Sequence, residues 1–142
     1  MKMRVVLAAA FLFFLGSTLS FAGDMPNLVG EWKSSGKGAV IVGKLTHKEH
    51  IKNPQFSPAH PFVLRIIKQD GHRFYGERFL SKSKEEVLGV IDENGESVYM
   101  VDDDGVFICT YDKAKDSLKA IYLEPGKDSK VAAIAVYTRV KK

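Results

Sequence analysis

Several side chains in this sequence are of types that do chemistry, so their spacing comes first. His47, His50 and His60 fall in "THKEHIKNPQFSPAHP", residues 46–61, and His72 follows a little later. A His-x-x-His pair can bind zinc, but a structural site wants further ligands on a scaffold, and a catalytic one usually shows its pair on a helix. Here the pair sits among Lys48, Glu49 and Lys52, in what reads as a solvated loop, so no metal and no cofactor is expected. Asp102-Asp103-Asp104-Gly105 resembles the start of a calcium loop, yet the twelfth position counted from Asp102 is Lys113, where an acidic residue is needed. A hairpin turn accounts for it better. Cys109, the only cysteine, lies mid-strand with no histidine near it in sequence, which reads as a buried thiol. No serine stands in a Gly-x-Ser-x-Gly elbow, and Gly36-Lys37-Gly38 has no helix after it to hold a phosphate. No catalytic residues are assigned, and an enzyme is not expected.

Glu77 is the exception worth following. If Asp70-Gly71 forms a two-residue hairpin turn, Ile66 pairs with Tyr75, Leu64 with Glu77 and Phe62 with Phe79. That places a carboxylate in the most apolar face of the hairpin. Should that face point inward, Glu77 must be paired or desolvated at a cost of several kcal/mol, and a group that orients a ligand is one explanation. A salt bridge, or a face that points to solvent, is the other. Tyr75, Tyr99 and Tyr122 are the polar-tipped companions that would line such a cavity.

The elements that must position these residues are strands. From Leu28 onward no segment keeps apolar residues at helical spacing for three turns, and short runs rich in Val, Ile, Phe and Tyr recur between turn signals. Nine strands are read, at 28–33, 38–45, 62–69, 72–80, 86–91, 97–102, 106–111, 118–123 and 131–140. Asp70-Gly71, Asn94-Gly95 and Asp104-Gly105 each offer the positive φ of a tight hairpin, and Pro125-Gly126 opens a longer turn. Consecutive hairpins give an up-and-down antiparallel meander. Closing it into a small barrel hides both its edges.

The Asn94-Gly95 turn sets Val90 opposite Tyr99 and Leu88 opposite Val101; the Asp104-Gly105 turn sets Val101 opposite Ile108 and Tyr99 opposite Thr110. The opposite face carries Val87, Gly89, Ile91, Val98, Met100, Cys109 and Tyr111. Both faces are apolar. One lines the interior and the other packs on something, another subunit being one option; which is which stays open. Residues 46–61, with three prolines, break the short-loop pattern and would suit a lid over one barrel mouth.

The N-terminus reads as an export signal covering residues 1–22. Lys2 and Arg4 precede the unbroken apolar run Val5–Leu15, and Ser20-Phe21-Ala22 has the small-x-small pattern of a cleavage site. Eleven helical residues rise only about 16 Å, too short for a permanent anchor. A single domain, residues 23–142, would then be periplasmic or secreted, with no membrane span in the mature form. The net charge of +4 falls by two when the segment leaves, which is no nucleic-acid footprint.

"PNLVGEWKS", residues 26–34, places Gly30 and Trp32 at the start of the first strand, and Tyr137-Thr138-Arg139-Val140-Lys141 ends the last. This combination resembles the calycin superfamily of lipocalins, fatty-acid-binding proteins, avidins and small bacterial metalloprotease inhibitors, with the two ends most similar to avidin. The resemblance implies an all-β, calycin-like (avidin-like) barrel of eight or nine strands, closed at one end by Trp32 packed under Arg139. An indole beneath a guanidinium gains about 0.5 to 2 kcal/mol of cation-π attraction. Avidins line their biotin pocket with further tryptophans, and Trp32 is alone here, so biotin is not the expected ligand.

The expected function is a non-enzymatic binding module holding a small apolar molecule or presenting its loops to a protein partner, with a homo-oligomer left open. The alternative is an inhibitor of a secreted hydrolase, resembling the protease-inhibitor calycins, whose mature N-terminus enters the protease cleft; residues 23–27 would play that part. A carrier calls for a continuous cavity of a few hundred Å³ and an inhibitor for a filled barrel with an exposed, rigid tail or loop.

Overall fold

The computed structural model describes residues 25–44, 50–58, 60–80 and 83–141, so the expected signal segment 1–22 and His47 lie outside the described residues. The described chain forms one sheet of nine antiparallel strands and contains no helix. They are β1 (Gly30–Gly43), β2 (Ile51–Ser57), β3 (Val63–Asp70), β4 (Arg73–Leu80), β5 (Ser83–Ile91), β6 (Ser97–Val101), β7 (Val106–Asp112), β8 (Ser117–Glu124) and β9 (Ser129–Arg139). From β3 to β9 each strand pairs with the next, and β9 returns to β1 from Trp32↔Arg139 to Gly43↔Ser129. β3 pairs with Gly30–Lys33 of β1, which closes eight strands into a barrel. β2 is an added strand, lying beside the far half of β1 at Ala39–Gly43.

The strand inventory differs from the sequence reading in two places. The segments read at 28–33 and 38–45 fall on one strand, β1, because Gly36-Lys37-Gly38 makes no turn. Lys37 is instead the extra residue of a β-bulge, between Gly36↔Ala135 and Gly38↔Ile134, and Gly38 supplies the φ of +139° that bends the strand there. Within the stretch 46–61, read as a long loop, Ile51–Ser57 builds β2. Among the described residues only β1 pairs with β2, and Pro54 falls in the irregular stretch between Ile41↔Gln55 and Gly43↔Ile51, where the ladder is already interrupted.

Register explains which side chains point inward. The Asn94-Gly95 hairpin sets Val90 opposite Tyr99 and Leu88 opposite Val101, as its sequence predicts. At Asp102–Gly105 the connection is four residues, not two, and pairs Val101 with Val106 and Tyr99 with Ile108. The cause is the Asp102 side chain, whose Oδ1 accepts hydrogen bonds from the Gly105 and Asp104 amides at 2.8 and 3.3 Å. A shift of two leaves every residue on its expected face.

The β3–β4 hairpin behaves differently. Its turn centres on Gly71-His72, with Asp70 opposite Arg73, and a bulge lies between Ile66 and Lys68. Beyond the bulge Leu64 faces Arg78 and Ile66 faces Gly76, so the partners of the apolar β3 residues change parity. Arg78 turns inward and Glu77 outward.

The interior is therefore the face carrying Val87, Ile91, Val98, Met100 and Cys109, joined by Leu28, Trp32, Leu64, Ile66 and Leu118. Each large apolar side chain so buried contributes about 1.5 to 3 kcal/mol. The outer face bears two apolar rungs that run straight across five strands. One is Tyr75, Leu88, Val101, Val106 and Leu123; the other continues from Arg73 as Val90, Tyr99, Ile108 and Ile121. The nine apolar side chains are 37% to 52% exposed.

Candidate functional site in the open end of the barrel

The two ends of the barrel are built differently, and the closed one limits where a ligand can go. Trp32 is fully buried, with its indole N–H donating to the Leu28 carbonyl at 3.0 Å and the Tyr111 ring set edge-on to it, 6.3 Å between ring centres. The Arg139 guanidinium lies 4.2 Å from the centre of the Trp32 ring. Its Nε donates to Asp116 at 2.7 Å, and Nη1 and Nη2 donate to the carbonyls of Val29 and Asn27 at 2.7 and 2.8 Å. Gly30 has a φ of +144°, and a Cβ there would stand 3.1 Å from Arg139 Nη1, so the glycine makes room for the arginine. Gln69 also ties the entering chain, donating to the Pro26 carbonyl and accepting from the Leu28 amide, both at 2.8 Å. Residues 26–29 are thereby stitched over the base.

At the other end the wall is interrupted, because β2 takes the place of β3 beside β1 and pairs with no other strand among the described residues. A cavity of about 180 Å³ opens here. Ile41, Leu80, Ala120, Ala133 and Ala135 are among its apolar walls, and the small alanines of β8 and β9 are what leave the space. The β2–β3 connection forms part of the rim, where Ser34 accepts from the Phe62 amide at 2.7 Å and donates its own amide to the Phe62 carbonyl at 2.9 Å. His60, Ser57 and Pro58 also line the opening.

Arg78 stands at the inner boundary of this cavity and is 9% exposed. Its guanidinium carbon is 4.6 Å from the centre of the Phe62 ring and 5.2 Å from those of Phe107 and Tyr122, which are themselves 4.6 Å apart. Nη2 donates to Glu85 and lies 2.7 Å from Asp102 Oδ2, whose side chain is wholly buried. That second contact misses the angle of a hydrogen bond, and among the described residues Arg78 Nε has no hydrogen-bond partner either. Burial alone would lower the pKa of Arg78, but Asp102 and Glu85 outweigh it and the net direction is up. For Asp102 burial dominates and pushes the carboxyl above its ordinary value, against the pull of Arg78. Burial likewise raises the Tyr137 phenol to about 12 and lifts that of Tyr122. The Cys109 thiol is pushed to about 12 by burial, so it is no nucleophile at neutral pH.

Of the four residues read as lining a cavity, Tyr122 alone does so. Tyr75 and Tyr99 point outward at 43% and 44% exposure, and Glu77 is outside too, held by Lys84 at 2.8 Å. The bulge in β3 is the physical reason for Glu77, because it exchanges the inward role between Glu77 and its neighbour Arg78. Two adjacent isoleucines, Ile66-Ile67, break the apolar alternation of β3 and are the one sequence sign of that bulge. Of the histidines, His60 is on the cavity rim and His72 Nδ1 lies 2.9 Å from the Ile91 carbonyl at the opposite end. No group of three His, Cys, Asp or Glu side chains among the described residues could hold a metal ion.

Comparison with protein-family models, with curated proteins and with solved structures returned no match.

Proposed function

We propose that this chain is an exported, calycin-like, non-enzymatic binding protein that takes a small apolar molecule into the open end of its barrel. The observation that carries this reading is the 180 Å³ cavity, walled by alanine and aliphatic side chains and bounded by the Arg78 cluster. An apolar cavity of about 150 Å³ accommodates a benzene-sized body, so the ligand is a single ring or the end of a short alkyl chain. The charged cluster sits to one side and gives that ligand one polar neighbourhood amid apolar walls, which is the ordinary make-up of a small-molecule site. Trp32 beneath Arg139, reached from both ends of the chain, supports the calycin-like description.

The inhibitor reading draws less support. The tail it relies on, residues 23–27, is tied at Pro26 and Asn27 by hydrogen bonds from Gln69 and Arg139, and the cavity leaves the barrel only partly filled. Native mass spectrometry of protein purified from its own host tests the proposal. The expected spectrum shows a small adduct on the wild type that is absent from Ala133→Phe, whose ring fills the space. A wild type carrying no adduct, whose melting temperature is also unmoved by millimolar phenol, indole or hexanol, would refute it.

A further inference from the structure

We infer that the apolar outer face of β4 to β8 is the contact surface for a second copy of this chain. The two rungs described above contain no charged side chain between Tyr75 and Leu123 or between Val90 and Ile121. At 37% to 52% exposure apiece, the nine side chains together present on the order of 700 Å² of surface, most of it apolar. The largest apolar patch on an ordinary monomer is about 300–600 Å², and a standard interface buries about 800 Å² per partner. Two such faces stacked on each other thus reach the size of a stable dimer without help from the rest of the molecule. An uncharged face made of straight rungs is also self-complementary, because a two-fold axis sets aliphatic rungs against aliphatic rungs and opposes no like charges.

Lipid is the poorer occupant. A membrane-spanning barrel needs an apolar band about 25 Å tall around its whole circumference. Here the two rungs cover a height of about two residue pairs. The outward positions Lys33 and Lys37 of β1, with Arg65 and Lys68 of β3, put charge on the rest of the wall.

Sedimentation velocity on the whole protein from 1 to 100 μM tests the inference. The expected result is a species of twice the chain mass, with Ile108→Lys and, separately, Leu88→Ser raising the dimer dissociation constant at least 100-fold. Both positions are about half exposed, so each variant should keep the wild-type circular dichroism and melt cooperatively as a monomer. A wild type that stays monomeric at 100 μM would overturn the inference, whether or not it sediments with phosphatidylcholine–phosphatidylglycerol vesicles. So would a dimer whose dissociation constant is unchanged in both folded variants.

Discussion

Each end of this barrel holds an arginine over aromatic rings, yet one end is a plug and the other surrounds a void. At the base, Arg139 spends its donors on two backbone carbonyls and on Asp116, and the residues it bonds are the chain that covers Trp32. At the mouth, Arg78 spends its charge on two carboxylates from β5 and the β6–β7 hairpin, leaves Nε without a hydrogen-bond partner among the described residues and abuts the cavity. The same side chain serves closure where backbone oxygens meet it, and balances buried charge where they do not. The contrast teaches that the partners of a buried cation, more than its presence, mark an end as sealed or as open.

The contrast can be broken by substitution. Trp32→Ala should do the most damage, about 4 kcal/mol, because it removes the largest fully buried side chain among the described residues; urea unfolding would measure it. Arg78→Met should cost about 3 kcal/mol at pH 8 by leaving Asp102 charged and alone in the interior. The Asp102 carboxyl already sits above its ordinary value, so the penalty for its charge is absent at low pH and grows as pH rises through the folded value. The Arg78→Met deficit should therefore shrink towards pH 5, and adding Asp102→Asn should recover part of it at pH 8. A deficit independent of pH would mean that packing of the guanidinium over Phe62, rather than charge balance, is what matters at the mouth.

Arg139→Met should cost about 2 kcal/mol through the lost cation-π contact and backbone hydrogen bonds, with no effect on a ligand in the cavity. Asp116→Asn should cost under about 1 kcal/mol, since the carboxylate is 39% exposed and screened. The hydrogen bond from Arg139 holds the Asp116 pKa down, so its stabilisation is complete above about pH 4 and is lost as pH falls through the folded value. The wild type should thus lose stability below pH 4 more steeply than Asp116→Asn does. Smallest of all, native Cys109 should resist iodoacetamide at pH 8 and react only when the protein is denatured.

How much of this could be read from the chain depends on how local each signal was. The base was legible through the resemblance that the two chain ends bear to calycins, and the pairing of β1 with β9 sets Trp32 opposite Arg139. The Asn94-Gly95 hairpin was legible because its register follows from the turn itself. Arg78 was not. Its inward direction follows from one inserted residue at Ile67, and period-2 counting carries any such insertion to the far end of the strand as an inversion of faces. β2 was hidden for a related reason: it answers to a partner in β1 rather than to a turn of its own, and Pro54 within it and Pro58 and Pro61 after it suggested irregular chain.

The pairing of β1 with β9 also governs when this protein can form. The contacts that seal the base join residues 110 and 112 positions apart, and none of them exists until the final strand has been delivered. Long-range closure of this kind makes acquisition of structure slow and late, since the entropy of a very large loop is lost before any contact rewards it. A nascent chain lacking its last dozen residues is left as an unclosed ribbon, threadable and dependent on whatever shields its exposed edges until its C-terminus arrives.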